Sequence, residues 1–366
     1  MKTMQLVPAM DEGGVERGVV EMNRAIAAAG WENVVVSSGG RLAAQIEADG
    51  GRHITARVKS KNPFDCLARA AELRRILAAE KPDVVCAHSR VPAWLFKIAN
   101  RSLGIKWITF AHGANSVSPY SRVMTYGDLT VTPSNFVAGH LKKAYGIADR
   151  KIRVIPRAIE KERFDTENLD RAFMEEKRRE WGLEGRFTVM GLGRITRLKG
   201  YDRLIEATAQ VAVKIPDVKL VIVGEAEASR KDVEAELRAQ TKRLGLEERV
   251  VFAGNQRKVA ECLSLANVVV QSNTEKPEAF GRSMAEALAM GRPVVAKAFG
   301  GALDIVRDGI DGVLVEDREF AEAIVKVAGM KFGDLRKSAL ERFSFERMTQ
   351  KALAVYKEVA KWQEIS

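Results

Sequence analysis

The sequence has few residues of the kinds that build disulfide frameworks or zinc sites. It has three cysteines and four histidines in 366 residues. The cysteines are scattered and form no CxxC pair, and the histidines lie far apart. This spacing argues against a disulfide framework and a structural zinc site, and it suits a reducing compartment. We therefore expect no bound metal.

Long apolar runs are also missing. No stretch approaches the roughly 20 residues of a membrane-spanning helix. The N-terminus, MKTMQLVPAM, lacks the apolar core of a signal peptide and is expected to form the first strand instead. The content of hydrophobic residues is 46% and that of charged residues is 29%. These values are typical of a soluble globular protein, and the length allows two domains.

Acidic residues are too few to balance the basic ones in the first half of the chain. Residues 1–165 hold 25 Lys/Arg and 16 Asp/Glu, so they carry +9 of the net +11. Such a charge indicates an anionic partner or serves solubility alone.

Short β-branched runs alternate with amphipathic helical stretches throughout the sequence. This alternation predicts an α/β fold with parallel sheets that are covered by helices on both faces. We predict strands at 3–7, 33–37, 83–88, 106–111, 129–132, 152–155, 188–192, 219–223, 250–253, 268–271, 293–297 and 313–315. We predict helices at 15–29, 63–79, 93–103, 134–145, 202–213, 229–244, 283–290 and 319–328.

The charged stretch 159–181 has few β-branched residues and is interpreted as the interdomain link. We expect an N-terminal Rossmann-like domain at 1–165 and a C-terminal one at 166–344, facing each other across a cleft. In such sheets, ligands bind beyond the carboxyl ends of the strands.

Unusual residues follow several predicted strands. Gly13 and Gly14 follow the first strand and open a helix, whose free amides suit an anion. His112 follows the strand at 106–111 and so lies at the edge of the predicted cleft. Arg194 and Lys199 flank a turn after the strand at 188–192 and suit a diphosphate. The sequence GLGRITRLKG lacks both the third glycine of a dinucleotide fingerprint and the P-loop pattern.

Two acids bracket the start of an alanine-rich helix in EKPEAFGRSMAEALAMGRPVVA. Glu278 precedes the helix and Glu286 lies within it, while Phe280, Gly281 and Arg282 offer closely approaching amides. Carboxylates near a diphosphate are tolerable if they bind neutral hydroxyls and if cations neutralise the phosphates. A nucleotide sugar meets both conditions.

With these residues, the chain resembles the retaining glycosyltransferases of family 4, which have the GT-B fold. The resemblance rests on the E-x7-E pattern of Glu278 and Glu286, on GLGRITRLKG and on GGVERG. The segments AHGANS, KIRVIPRAIEKERF and GGALDIVRDGIDGVLVE support it. These motifs cover most of the chain in a consistent order.

The resemblance implies a role for each matching residue. Arg194 and Lys199 would stabilise the leaving diphosphate, and Glu286 would hold the ribose. Glu278 and the backbone of residues 280–283, which ends at Ser283, would hold the transferred sugar. His112 would contact the donor sugar, and Gly14 would lie near its phosphates. The helix at about 345–366 would pack on the N-terminal domain.

The family also implies a retaining hexosyl transfer without a metal or other cofactor, and the sequence has no Asp-x-Asp motif. A front-side attack is expected, in which the leaving phosphate deprotonates the acceptor. The chain departs from the family at Arg157 and Ala158, where Asn-Gly is common, and at Asp304, where glutamate is frequent.

We expect a cytoplasmic enzyme of the bacterial type that builds lipopolysaccharide or another surface glycan. Its donor would be a UDP-sugar and its acceptor a glycan or a lipid-linked molecule. The basic first half would attach it peripherally to anionic lipid at the inner face of the cytoplasmic membrane. Candidate docking charges are Arg57, Lys59, Lys61, Lys142, Lys143, Arg150, Lys151 and Arg153.

The same sequence features are compatible with other functions. A GDP-mannose-dependent transferase and a sugar-nucleotide epimerase of the same fold would share these motifs. A nucleic-acid-binding protein is the remote alternative suggested by the pI of about 9.5, but the basic segments lack interleaved aromatic residues. We expect no nucleic-acid partner.

Overall fold

The computed structural model describes residues 1–11, 13–227, 230–273, 275–317 and 319–361. Contacts divide the chain into two compact units. The first unit comprises Met1–Arg157 and the residues from Glu346 onward, and the second comprises Ala158–Phe345.

The first unit is built on a seven-stranded sheet in the order β3-β2-β1-β4-β5-β6-β7, in which every neighbouring pair is parallel. The inner strands are almost completely buried, as expected for a sheet that helices cover on both faces. The strands are β1 (Lys2–Leu6), β2 (Glu32–Ser37), β3 (Arg52–Thr55), β4 (Val84–Ala87), β5 (Lys106–Phe110), β6 (Leu129–Thr132) and β7 (Ile152–Val154).

Helices of the first unit follow the strands in the usual alternation. Ser134 caps α5, since its hydroxyl oxygen accepts a hydrogen bond from the Val137 amide at 3.2 Å. The helices are α1 (Gly14–Ala28), α2 (Ala43–Ala48), α3 (Cys66–Glu80), α4 (Arg90–Ala99), α5 (Asn135–Tyr145) and, from Glu346, α14 (Phe345–Lys361). Short 3-10 turns lie at Ser121–Thr125 and Asp149–Lys151.

The second unit has a six-stranded parallel sheet in the order β10-β9-β8-β11-β12-β13. Its strands are β8 (Phe187–Leu192), β9 (Val218–Val223), β10 (Val250–Gly254), β11 (Val268–Gln271), β12 (Val294–Lys297) and β13 (Gly312–Val315). Its helices are α6 (Arg171–Glu180), α7 (Tyr201–Lys214), α8 (Lys231–Arg243), α9 (Val259–Ser264), α10 (Arg282–Ala289), α11 (Ala302–Ile305), α12 (Phe320–Gly329) and α13 (Leu335–Arg342), with 3-10 turns at Lys161–Phe164 and Arg197–Lys199.

The predicted α/β class is confirmed, because each unit is a Rossmann-like doubly wound sheet. The second unit differs from the prediction at its start. Ile159, Phe164 and Trp181, expected at the first domain's end or in a link, are buried in its hydrophobic core. The amide of Ile159 also donates to the carbonyl of Phe343 at 2.8 Å. The burial of these three side chains was not predicted, because charged residues surround them in the sequence.

The last helix, α14, places Tyr356 in the core of the first unit, where Gln5 Nε2 donates to its hydroxyl at 3.2 Å. Arg153 forms an ion pair with Glu358 at the sheet edge. Residues 362–366 of the predicted terminal helix lie outside the described residues, as does Ser229, the first residue of the helix predicted at 229–244.

Candidate functional site in the second unit

The topology of the second sheet creates one position where neighbouring strands continue in opposite directions. From β8 the chain builds outward through β9 and β10, and then returns to place β11 on the other side of β8. Loops at the carboxyl ends of such a strand pair diverge and leave a crevice for a ligand. Lys199 follows β8 and Glu278 follows β11.

Lys199 and Glu278 form the ion pair at the centre of this position. The distance from Lys199 Nζ to Glu278 Oε1 is 2.7 Å, and both side chains keep part of their surface exposed, at 21% and 31%. The same carboxylate oxygen lies 3.4 Å from Asn273 Nδ2 and 3.5 Å from Gln271 Nε2. A cation and a carboxylate are thus held together where a ligand can reach both.

The loop that carries Lys199 is tied to the end of β11. The Ser272 hydroxyl donates to the Lys199 carbonyl at 2.8 Å. Gly200 has a φ of 64°, and a Cβ at this position would overlap the Ser272 carbonyl oxygen. Glycine is suited to this turn because it adopts positive φ without strain and lets the two loops approach.

Arg194 was predicted to flank the same ligand as Lys199. Its guanidinium instead forms an ion pair with Glu227, which follows β9, and 73% of its side chain is exposed. Exposed ion pairs contribute little free energy, so a ligand of higher negative charge can displace Glu227 from Arg194.

The segment between the two acids has both buried and accessible parts. The Phe280 side chain belongs to the hydrophobic core, where it contacts the Phe343 ring edge to face. Gly281 is the N-cap residue of α10 and Arg282 is its first residue. The Ser283 hydroxyl donates to Gln271 Oε1 at 3.1 Å. The start of this helix is therefore anchored to the strand that leads to Glu278.

Glu286 lies one turn into α10, and its carboxylate is 3.6 Å from Arg282 Nε. Only 14% of its side chain is exposed. Burial raises the pKa of this carboxyl, while the charges of Arg282 and Arg163 oppose that rise. Arg282 also approaches Glu160 at 3.8 Å, so this arginine is shared between two acids.

Two predicted residues lie in the first unit. Gly14 begins α1 just after β1, and a Cβ there would meet no atom within 4 Å. His112 follows β5 and contacts His88 at 3.0 Å and Arg157 at 2.6 Å. His88 follows β4, the strand beside β1 where the order of the first sheet reverses.

Sequence reasoning missed several of these residues. Gln271 and Asn273 contact Glu278, Glu227 holds Arg194, and His88 supports His112. A usable signal existed for three of them, because Gln271, Asn273 and His88 are polar residues at or just beyond the end of an apolar strand. Glu227 gave no such signal.

The described residues contain neither a metal-binding cluster nor a membrane-spanning helix. In this part of the chain, no group of three or more His, Cys, Asp or Glu side chains is arranged to hold a metal ion. Nor does any described helix have the length and apolarity needed to cross a membrane.

Comparisons with known proteins agree with this architecture. Residues 12–163 match Glycosyltransferase Family 4, and residues 173–338 match Glycosyl transferases group 1. A D-inositol 3-phosphate glycosyltransferase from Segniliparus rotundus is 31% identical over 324 residues, which are 80% of this chain and 70% of the relative. A protein of the same name from Geodermatophilus obscurus is 28% identical over 395 residues, 95% of this chain and 85% of the relative.

Solved structures show the same fold. The crystal structure of a glycosyltransferase from Rickettsia africae has a TM-score of 0.86 and 27% identity, with 98% of each chain covered. That of Anabaena HepE in complex with UDP has a TM-score of 0.83 and 22% identity, with 98% of this chain and all of that chain covered. The fold, the family matches and these relatives thus define a GT-B glycosyltransferase. The chain belongs to the group 1, family 4 glycosyltransferases.

Proposed function

We propose that the protein is a retaining, metal-independent glycosyltransferase that moves a hexose from a UDP-sugar to a glycan or lipid-linked acceptor. The observation that carries this proposal is the contact between Lys199 and Glu278 where the strand order of the second sheet reverses. Lys199 is suited to the negative charge that develops on the leaving phosphate, and Glu278 to a hydroxyl of the transferred sugar.

The remaining roles are part of the same proposal. Arg194 leaves Glu227 for the diphosphate, and Glu286 accepts hydrogen bonds from the ribose hydroxyls. The amides from Phe280 to Ser283 approach the sugar, His112 contacts it, and Gly14 leaves room for the phosphates. No metal or other cofactor enters this scheme. The leaving phosphate takes the proton of the acceptor hydroxyl, which attacks from the same face.

The acceptor is proposed to be an intermediate of lipopolysaccharide or another surface glycan in the bacterial cytoplasm. A phosphorylated cyclitol is the second candidate, because several relatives are named D-inositol 3-phosphate glycosyltransferases. The excess of basic residues in the first half suits either anionic acceptor.

A panel of nucleotides and nucleotide sugars tests the donor. We expect UDP and one UDP-sugar to raise the melting temperature, whereas GDP and GDP-mannose leave it unchanged, since only a ligand of the folded state stabilises it. Transfer is then followed with that donor, with EDTA present. The product is expected to keep the donor's anomeric configuration, as read from its NMR coupling constant.

The ligand panel and the transfer assay together separate the alternatives. Selective stabilisation by GDP-mannose would show that the donor nucleotide is GDP and not UDP. An isomerised sugar that forms without any acceptor would identify an epimerase. Loss of transfer in EDTA, restored by a divalent cation, would contradict the metal-independent mechanism.

We also propose peripheral attachment to anionic membranes through the first unit. Phe64 and Leu67, near the start of α3, are 96% and 74% exposed, and Lys59 and Lys61 precede them. A cavity of about 250 Å³ in the same unit is lined in part by Lys61, Trp94 and Tyr120. Exposed apolar side chains next to cations are suited to a membrane interface.

Sedimentation with phosphatidylglycerol vesicles at low salt tests this attachment. We expect the double variant Phe64→Ser/Leu67→Ser to bind at least about tenfold more weakly, because each large apolar side chain contributes up to roughly 1.5–3 kcal/mol on burial. The control is Val213→Ser, which removes an 81% exposed apolar residue of the second unit. A wild-type protein that stays in the supernatant would overturn the attachment but not the transferase function.

A further inference from the structure

A continuous chain of side-chain hydrogen bonds runs through the interior of the first unit. Arg157 Nη2 lies 2.6 Å from His112 Nδ1, and His112 Nε2 lies 3.0 Å from His88 Nδ1. His88 Nε2 then lies 2.6 Å from Gln5 Oε1, and Gln5 Nε2 donates to the Tyr356 hydroxyl at 3.2 Å. This series of hydrogen bonds links Arg157, the last residue of the segment Met1–Arg157, to Tyr356 in the terminal helix α14.

The donor and acceptor groups at the two ends of this series, Arg157 and Gln5, determine the direction of every hydrogen bond between them. A guanidinium only donates, so His112 Nδ1 accepts. In the neutral ring, Nε2 then carries the proton and donates to His88 Nδ1. His88 consequently carries its own proton on Nε2 and donates it to the Gln5 carbonyl oxygen. One tautomer of each histidine satisfies all of these contacts.

Packing holds both rings in this arrangement. The planes of the His88 and His112 rings are 11° apart, with ring centroids 5.2 Å from each other. Phe110 stacks on the His88 ring with centroids 4.6 Å apart. On α1, Gly18 leaves the space for Arg157, because a Cβ at residue 18 would overlap Arg157 Nη1.

The electrostatic surroundings keep both histidines neutral. Burial, together with the charge of Arg157, lowers the pKa of His88 to about 3. Burial also lowers the pKa of His112 well below its ordinary value, and the charge of Arg157 acts in the same direction. Beyond His88, burial raises the pKa of the Tyr356 hydroxyl and of the Cys86 thiol, so these groups stay neutral.

We propose that Arg157 is a positioning residue that holds His112 as the neutral Nε2–H tautomer, with Nδ1 as the acceptor atom for substrate. His88 keeps the ring oriented through Nε2, and a hydroxyl of the donor sugar replaces Arg157 at Nδ1. This inference rests on the proposed function for the identity of that hydroxyl, but the tautomer itself belongs to the folded protein. The arginine at position 157 gives the histidine a charged hydrogen-bond partner.

Long-range ¹H–¹⁵N NMR of the histidine rings tests the tautomer directly, and four histidines keep the spectrum simple. We expect His112 to show the Nε2–H pattern and not to titrate near the ordinary histidine pKa of about 6.5. Arg157→Met removes both the donor and the charge, so mixed tautomers and a raised pKa are expected. His53 and His140, in the same unit, are internal references.

Conservative variants separate positioning from general packing. Arg157→Lys keeps a charged donor and should preserve the tautomer and the low pKa of His112. Arg157→Gln keeps a donor without the charge, so the tautomer should persist while the pKa rises. His88→Asn offers an acceptor oxygen in place of His88 Nδ1, and His88→Leu removes the acceptor. Both variants should preserve the His112 tautomer, because Arg157 still donates to Nδ1.

Transfer kinetics give the second measurement. In Arg157→Met we expect kcat/KM to fall about tenfold, which corresponds to about 1.4 kcal/mol, and to fall further on acidification. The sign follows because a raised pKa lets His112 protonate, and a protonated Nδ1 accepts no hydrogen bond. An Nδ1–H tautomer in the wild type, or unchanged His112 signals in Arg157→Met, would overturn the inference. Absence of transfer with every donor, beside the expected spectra, would count against the proposed function alone.

Discussion

Replacing Lys199 by alanine is expected to lower kcat roughly 100- to 1000-fold, the usual loss when a charge-stabilising donor is removed from an active site. The donor's Kd should change far less. Negative charge on the leaving phosphate is greatest in the transition state, so a cation that contacts it acts mainly on turnover. Steady-state kinetics and direct donor binding together measure the two effects.

The control for Lys199→Ala is Arg197→Ala in the same turn. Arg197 binds Glu236 through two hydrogen bonds of 2.5 and 2.6 Å, and its side chain is 55% exposed. We expect nearly normal turnover in this control. Arg194→Ala should also lower kcat more than donor affinity, since Arg194 is proposed to bind the same diphosphate. A change in KM alone, in Lys199→Ala or Arg194→Ala, would contradict the roles given to these cations.

Replacing Glu286 by glutamine is expected to weaken the binding of both UDP and the UDP-sugar about 10- to 100-fold. Hydrogen bonds to a charged acceptor contribute about 1.5–3 kcal/mol, and both ligands carry the ribose. Glu278→Gln should weaken the UDP-sugar by a similar factor but leave UDP within about threefold, since UDP has no transferred sugar. Titration calorimetry with each ligand measures both variants, and the exposed Glu275→Gln is the control.

The pH dependence of UDP binding adds a check on Glu286. Because burial raises the pKa of this carboxyl, acidification protonates it at a higher pH than an ordinary glutamate. The protonated carboxyl loses acceptor capacity. The affinity for UDP should therefore decrease as the pH is lowered in the wild type, but not in Glu286→Gln. Equal losses of UDP and UDP-sugar affinity in Glu278→Gln would contradict the hexose-binding role given to Glu278, and a loss confined to the UDP-sugar in Glu286→Gln would contradict the ribose-binding role given to Glu286.

Most strands were predictable because a parallel sheet with two covered faces needs continuous apolar segments. All six predicted strands of the second unit are present, for example β9 at Val218–Val223. In the first unit, β3 was missed, because the four residues RHIT contain one strongly apolar side chain. Helices α2, α9 and α11 were missed because each has only four to six residues, too few for a clear helical period. Helix α13 was missed because its only buried side chains are Leu335 and Ala339.

The candidate residues could be chosen from the sequence, but their contacts could be predicted only in part. Polar residues after apolar strands identify Lys199 and Glu278, because the chain direction places them at the ligand-binding edge of a parallel sheet. Their distance of 2.7 Å joins residues 79 positions apart. This contact depends on β8 and β11 being neighbours in the sheet. The sequences of the individual strands do not reveal their order in the sheet.

The sequence by itself determined the α/β class, the repeated strand–helix order and the candidate cations and acids, because these depend on local periodicity and chain direction. The tertiary structure decided which of them meet. It paired Arg194 with Glu227, placed Ile159 and Phe164 in the second core and aligned His88 with His112 and Arg157. Each of these outcomes depends on lateral strand order and side-chain packing between segments far apart in the chain.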